Sequence, residues 1–168
     1  MRITSISASD TVGFLKEENE AAPTASRSAL MARVRQKDTL PELKVRKILH
    51  GLGYRYRLHR RDLPGTPDIV FPARRKAIFV HGCFWHRHAD CSKATSPKTR
   101  TDFWTGKFAK NVERDKRKEN DLLELGWEVE TVWECETKDM ESLAKRLALW
   151  LDSPSSNSTA DGANRVQV

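Results

Sequence analysis

Pro67-Asp68-Ile69-Val70-Phe71, a Pro-Ala-Arg-Arg turn, Lys76-Ala77-Ile78-Phe79-Val80 and then His81-Gly82-Cys83-Phe84-Trp85-His86 form the stretch that decides the fold. Two short β-prone runs joined by a turn read as a hairpin, and the cysteine- and histidine-rich residues 81–91 read as a loop after it. Upstream, Thr39-Leu40-Pro41-Glu42 has the spacing of a capping box, with Pro41 in the first turn, where its missing N–H costs nothing. Val45, Ile48, Leu49 and Leu52 follow at i, i+3, i+4 and i+7 on one apolar face, until Gly51 and Gly53 stop the helix. Tyr54 to Leu58 alternates and reads as a strand. Downstream, a helix is expected from about Thr101 to Leu125, ending at Gly126. Glu128 to Trp133 alternates as another strand, and a last helix is expected from about Asp139 to Leu151. The order helix, strands, helix, strand, helix implies an α/β fold with a mixed sheet flanked by helices.

The chain has 168 residues, which suits one domain with tails rather than two cores. Residues 1–25 read as a mobile N-terminal arm, 26–151 as the folded domain, and the Ser/Asn/Gly/Ala-rich residues 152–168 as a disordered tail. No apolar run approaches the ~20 residues of a membrane span. Met1 to Glu20 lacks the apolar centre of a secretory signal, which points to a reducing, cytoplasmic setting. There, three cysteines suit a metal site better than a disulfide framework. The net charge is +7. Residues 1–25 sum to −2 and residues 152–168 to −1, so the body between them holds +10. A concentrated positive body is the footprint of a phosphate-binding protein, although an indifferent basic surface has the same charge.

Cys83, His88, Cys91 and Cys135 would supply the Cys₃His set of a structural zinc site and use every cysteine in the chain. Buried cysteines acting as small hydrophobes are the alternative. Asp68 opens a strand whose neighbour ends at Val80. A carboxylate at a strand end suits Mg²⁺-assisted phosphodiester cleavage, and Pro67-Asp68 is equally ordinary turn chemistry. His81 and His86, left over after the zinc ligands, would be drawn toward Asp68 by the hairpin. Either could take a proton from water near neutral pH, or serve as a spare ligand. Phe84 and Trp85 sit beside positive charge with little core to fill, which suits stacking on bases or wedging into a duplex step. Trp104 recurs with Phe108 and Val112 at i, i+4 and i+8, so it suits a core stripe as well. Residues 97–118 hold eight Lys/Arg against three acids. Lys107, Lys110, Arg114 and Lys118 recur at helical spacing as a phosphate track or a solvated face.

Taken together these strings resemble the very-short-patch repair endonucleases, relatives of the PD-(D/E)XK nucleases. The matching strings are Lys37-Asp38-Thr39 with Glu42, Leu63-Pro64-Gly65-Thr66-Pro67-Asp68, Ile78 through His86, Thr99 through Trp104, Lys110 through Asp115, and Leu125-Gly126-Trp127 with Val132 through Cys135. They extend over residues 27–150. The resemblance implies a restriction-endonuclease-like core and a Mg²⁺-dependent enzyme that nicks DNA 5′ of the thymine in a T·G mismatch left by deamination of 5-methylcytosine. It implies Asp68 and the Val80 backbone as Mg²⁺ contacts, His86 as the water-activating histidine, and His81 and Glu42 as supporting residues. Cys83, His88, Cys91 and Cys135 match its zinc ligands. Phe84, Trp85 and Trp104 match its wedge, and Met31, Lys107 and Asn111 match positions near the mismatch. Val80 replaces a threonine of the best-known member, and the gap from His88 to Cys91 is one residue longer. Glu42 is also explained by the capping box alone. The resemblance further implies a nucleoid-associated monomer, mismatch-repair proteins as partners and a companion cytosine-5 methyltransferase. A non-catalytic zinc-stabilised DNA-binding module and a restriction-type nuclease are the competing readings.

Overall fold

The computed structural model describes residues 37–154, so Met31, the N-terminal arm and residues 155–168 of the tail lie outside the described residues. Helix α1 spans Leu40–Gly51. Thr39 caps it: Thr39 Oγ1 accepts from the Glu42 N–H, and the Glu42 carboxylate accepts in return from the Thr39 N–H. Val45, Ile48 and Leu49 are buried as the periodicity requires, but Leu52 is 44% exposed, because it lies past the last turn. Gly53 takes φ +84°, the left-handed conformation that ends the helix without a Cβ penalty.

The sheet has four strands in spatial order: β1 (Arg57–Leu58), β2 (Ile69–Phe71), β3 (Lys76–His81) and β4 (Glu128–Trp133). β1–β2 and β2–β3 pair antiparallel and β3–β4 parallel, so the sheet is mixed. The hairpin register sets Ile69 opposite Ile78 and Phe71 opposite Lys76. Only two residues of the expected strand 54–58 pair. Tyr54 and Tyr56 instead meet the Phe71 ring edge-on, at 6.3 and 6.1 Å. Helix α3 (Thr101–Glu124) links β3 to β4, and α4 (Met140–Asp152) follows a short 3₁₀ turn, Glu136–Lys138. Residues 81–91 are not all loop: His81 ends β3, and Cys83–His86 form a single helical turn, α2.

Period-two alternation divides the core. Ile69, Phe71, Ile78 and Val132 face Val45, Ile48 and Leu49 of α1 and Leu143, Leu147 and Leu151 of α4. Val70, Ala77 and Phe79 face the other way, toward Leu63, Leu122 of α3 and Trp127. The sheet is therefore covered on both faces, and its β2 and β3 residues read as nearly continuous apolar runs. Lys76 is an exception that nothing in the pattern announces. Fully buried, its Nζ donates to the carbonyls of Trp150 (2.5 Å) and Ser153 (2.8 Å) and pairs with Glu128 (3.3 Å). It thereby satisfies carbonyls that the end of α4 leaves open. Lys76→Met is expected to lower unfolding stability by about 3 kcal/mol, since the carbonyls and Glu128 lose their cation. Urea denaturation checks this, and an unchanged midpoint would refute it.

Candidate active site and metal centre

Asp68 stands immediately before β2. Its Oδ2 accepts the Val80 N–H at 2.8 Å, tying the two hairpin strands together at the end where β3 enters the histidine segment. Burial is the main cause that raises its pKa to about 6; the Val80 N–H opposes this, and the nearby Glu42 carboxylate adds to it. Gly65, in the loop leading to Asp68, has φ +73°, and a Cβ there would lie 2.8 Å from the Lys118 side chain. A glycine is required for this loop to lie against α3.

Glu42 is buried and fully engaged. Its carboxylate accepts from the Thr39 hydroxyl (2.9 Å), the Asp38 N–H (3.0 Å) and Arg46 (3.0 Å). Its surroundings are those of a cap and an ion pair, and they act on Asp68 through charge.

His81 and His86 stack face to face, with ring centroids 3.9 Å apart and planes 7° from parallel. β3 delivers His81, and the α2 turn, closed by the His86 N–H donating to the Gly82 carbonyl at 3.1 Å, returns His86 over it. His86 Nδ1 lies 2.5 Å from Asp115 Oδ2 on α3. With Nδ1–H donated to the carboxylate, neutral His86 has a free lone pair on Nε2. Burial pushes the Asp115 carboxyl up, but the hydrogen bond from His86 and the positive surroundings, Lys118 among them, outweigh it and hold the group low. Burial, then His86, depresses the His81 pKa to about 3, so its ring stays neutral. Asp68 and the histidine pair meet through the backbone: Val80, which binds Asp68, precedes His81.

The ligand atoms of Cys83, His88, Cys91 and Cys135 converge within 4.8 Å of one another. His88 Nδ1 lies 3.7 Å from Cys83 Sγ and 3.2 Å from Cys135 Sγ. A tetrahedral Cys₃His zinc site has nitrogen–sulfur edges of roughly 3.6 Å, so these residues fit the ion. The His88 ring also stacks on Trp133, with centroids 4.2 Å apart, next to the end of β4 that presents Cys135. Burial, followed by the neighbouring thiols, pushes the Cys83 thiol up to about 12. Uncoordinated, Cys83 keeps its proton beside the imidazole, whereas a soft cation would take it as a thiolate.

Phe84 and Trp85 are half-buried rather than free. With Trp104, Phe103 and Phe108 they form one aromatic cluster between α2 and α3, with Phe84–Phe108 centroids 5.2 Å and Trp85–Trp104 centroids 6.1 Å apart. Asn111 Nδ2 donates to the Trp85 carbonyl at 3.1 Å and so fixes the turn that carries the ring. Lys107, Lys110 and Arg114 are exposed along α3, and Lys118 is half-buried. Asp115 and His59 were missed by sequence reasoning: Asp115 lies 29 residues from its histidine, and no spacing rule connects them.

A sequence model of the family described as DNA mismatch endonuclease Vsr matches residues 21–93. The type II nicking enzyme V.XorIIP of Xanthomonas oryzae pv. oryzae is 55% identical over 126 residues, covering 75% of this chain and 92% of that protein. The DNA mismatch endonuclease Vsr of Escherichia coli K12 is 43% identical over 132 residues, 76% of this chain and 84% of that protein. This chain belongs to the Vsr family. As a Vsr-family protein it is an endonuclease that acts on the phosphodiester bonds of DNA. The type II nicking enzyme V.NmeAIP of Neisseria meningitidis is 44% identical over 124 residues, 74% of this chain and 88% of that protein. The family suggests a divalent metal, and Asp68 is a carboxyl of the kind such an ion takes. Asp68 is a half-buried carboxyl, with one oxygen anchored by Val80 and the other 3.8 Å from His59 Nδ1, so its ionised form keeps much of its charge. A hard cation would offset that charge. Among the described residues no helix is long and apolar enough to cross a membrane.

Proposed function

We propose that this chain nicks the thymine-carrying strand of a T·G mismatch, 5′ of the thymine, as a very-short-patch repair enzyme using Mg²⁺. The observation that carries the reading is the His86–Asp115 hydrogen bond under the stacked His81, one residue along β3 from the Val80–Asp68 contact. Asp68 and the Val80 carbonyl would hold Mg²⁺, which when bound offsets charge at the scissile phosphate. Nε2 of His86 takes a proton from the attacking water, and Asp115 stabilises the imidazolium that forms. The His81 ring covers one face of His86 and keeps it in line. Glu42 positions α1 and tunes Asp68. Zinc at Cys83, His88, Cys91 and Cys135 would pin the α2 turn to β4. Phe84, Trp85 and Trp104 would open the mismatch, with Lys107 and Asn111, and Met31 of the undescribed segment, near the bases. The companion methyltransferase, repair-protein partners, monomeric state and nucleoid association belong to the same reading.

Single-turnover nicking of T·G, A·T and G·C duplexes of one sequence tests it: cleavage restricted to the T·G substrate is expected, and equal cleavage of paired duplexes would mark a restriction-type nuclease. Trp85→Ala is expected to slow T·G nicking by more than about tenfold, or roughly 1.4 kcal/mol. Because Trp85 also packs on Trp104, a modest fall in melting temperature accompanies the loss. Unchanged T·G selectivity would remove the wedge.

A further inference from the structure

His59 belongs to none of the three clusters above, yet it is held with unusual care. It follows β1 with φ +46°, a left-handed conformation that costs a non-glycine residue roughly 1 kcal/mol. Its N–H donates to the Asp68 carbonyl at 3.2 Å. Arg46 reaches it from α1: Nη1 donates to Asp38 Oδ1 at 2.6 Å, and Nη2 donates both to Glu42 Oε2 at 3.0 Å and to His59 Nε2 at 3.0 Å. Among the described residues Arg46 Nε is buried without a partner, while Nη1 and Nη2 make these three bonds. A guanidinium only donates, so His59 Nε2 must accept, and the neutral ring carries its proton on Nδ1. That N–H faces Asp68 Oδ1 at 3.8 Å. The separation is too long for a direct hydrogen bond, so the dipole aligns the carboxylate without consuming the oxygen. Val80 holds the other oxygen.

The same guanidinium disposes of a rival. Ligand atoms of Asp38, Glu42 and His59 lie within 4.8 Å of one another and could attract a cation of their own. Arg46 hydrogen-bonds all three, which leaves Asp68 more open to a metal than these side chains. We propose that Arg46 and His59 are a positioning pair that orients Asp68 for its divalent cation. The proposal rests on the reading of Asp68 as the cation's carboxylate.

Two measurements test it. Long-range ¹H–¹⁵N correlation of the Mg²⁺-free, zinc-replete full chain reads the His59 tautomer. Nδ1–H is expected in the wild type, with reversion toward the Nε2–H form that neutral imidazole favours in water once Arg46→Met removes the donor. A wild-type proton on Nε2 would overturn the pair, whatever the variants do. Mg²⁺ titration of T·G nicking supplies the second arm. His59→Leu is expected to raise the half-saturating Mg²⁺ concentration by about tenfold or more, with little change at saturation. His59→Gln, whose amide both accepts and donates, is expected to restore it. A His59→Leu protein with wild-type Mg²⁺ dependence would also overturn the pair. Undiminished nicking by Asp68→Asn would instead sink the reading of Asp68 itself.

Discussion

Asp68→Asn is expected to abolish nicking while making the free protein more stable at pH 8. The activity loss should exceed about a thousandfold, roughly 4 kcal/mol of transition-state stabilisation, because the amide has no charge to offer a cation beside the phosphate. The stability gain follows from the carboxyl's surroundings. Burial raises the Asp68 pKa from 3.8 to about 6, so the folded chain holds the proton more tightly than the unfolded chain does. Stability from that bound proton is fully present below the unfolded pKa and is lost as pH rises through about 6. Above that pH the ionised side chain costs the native state about 2 kcal/mol, after allowing for its partial exposure. Asparagine carries no such cost, and its carbonyl oxygen can still accept the Val80 N–H. Melting curves at pH 8 and pH 4 should therefore diverge and then converge. Mg²⁺ should raise the melting temperature of the wild type and not of the variant. Equal melting temperatures at pH 8 would show that the carboxylate is already compensated, and retained nicking would remove Asp68 from the site.

What could be read from the sequence was what depends on neighbours along the chain. The capping box at Thr39 and Glu42, the hairpin around Pro72–Arg74 and the α3 stripe all follow from local spacing, and the structure contains each of them. The convergence of Cys83, His88, Cys91 and Cys135 was also legible, because cysteine is rare and zinc chemistry demands four ligands. The missed residues act across space. Asp115 looks like one more charge on a charged helix until α3 is laid against the α2 turn. His59 depends on a left-handed backbone that a histidine seldom adopts, and on an arginine one helix away. Lys76 sits in an apolar run where a lysine suggests a strand edge. It is buried because α4 ends over it with open carbonyls. The α2 turn escaped notice for another reason: four residues are too few to show a helical period.

Removing one zinc ligand should expose how far the histidine geometry depends on that metal. Cys135 lies just beyond β4, while Cys83, His88 and Cys91 belong to the segment after β3. The fourth ligand is therefore the one that closes a loop between distant parts of the chain. Besides that ligand, the Glu134 N–H donating to the His81 carbonyl at 2.8 Å joins the two segments nearby. Binding of structural zinc is worth on the order of 10 kcal/mol of coupled folding, so losing one thiolate of four should cost roughly 4 kcal/mol. For a domain of this size that is a fall of more than about 10 °C in melting temperature. Cys135→Ser is expected to show this fall, with zinc content well below the one ion per chain expected of the wild type. Cys83 and His88 bracket His86, so activity should drop too. In the proposed mechanism the Nε2 lone pair is aimed by the Asp115 bond and by the pinned turn together. Near-wild-type DNA binding with a reduced single-turnover rate, measured below the lowered melting temperature, would locate the damage in His86 orientation. A Cys135→Ser protein that keeps both its melting temperature and its metal would show that the cluster is not a zinc site. One that loses zinc and melts earlier, yet nicks at the wild-type rate, would separate the metal from the histidine proposed to activate water.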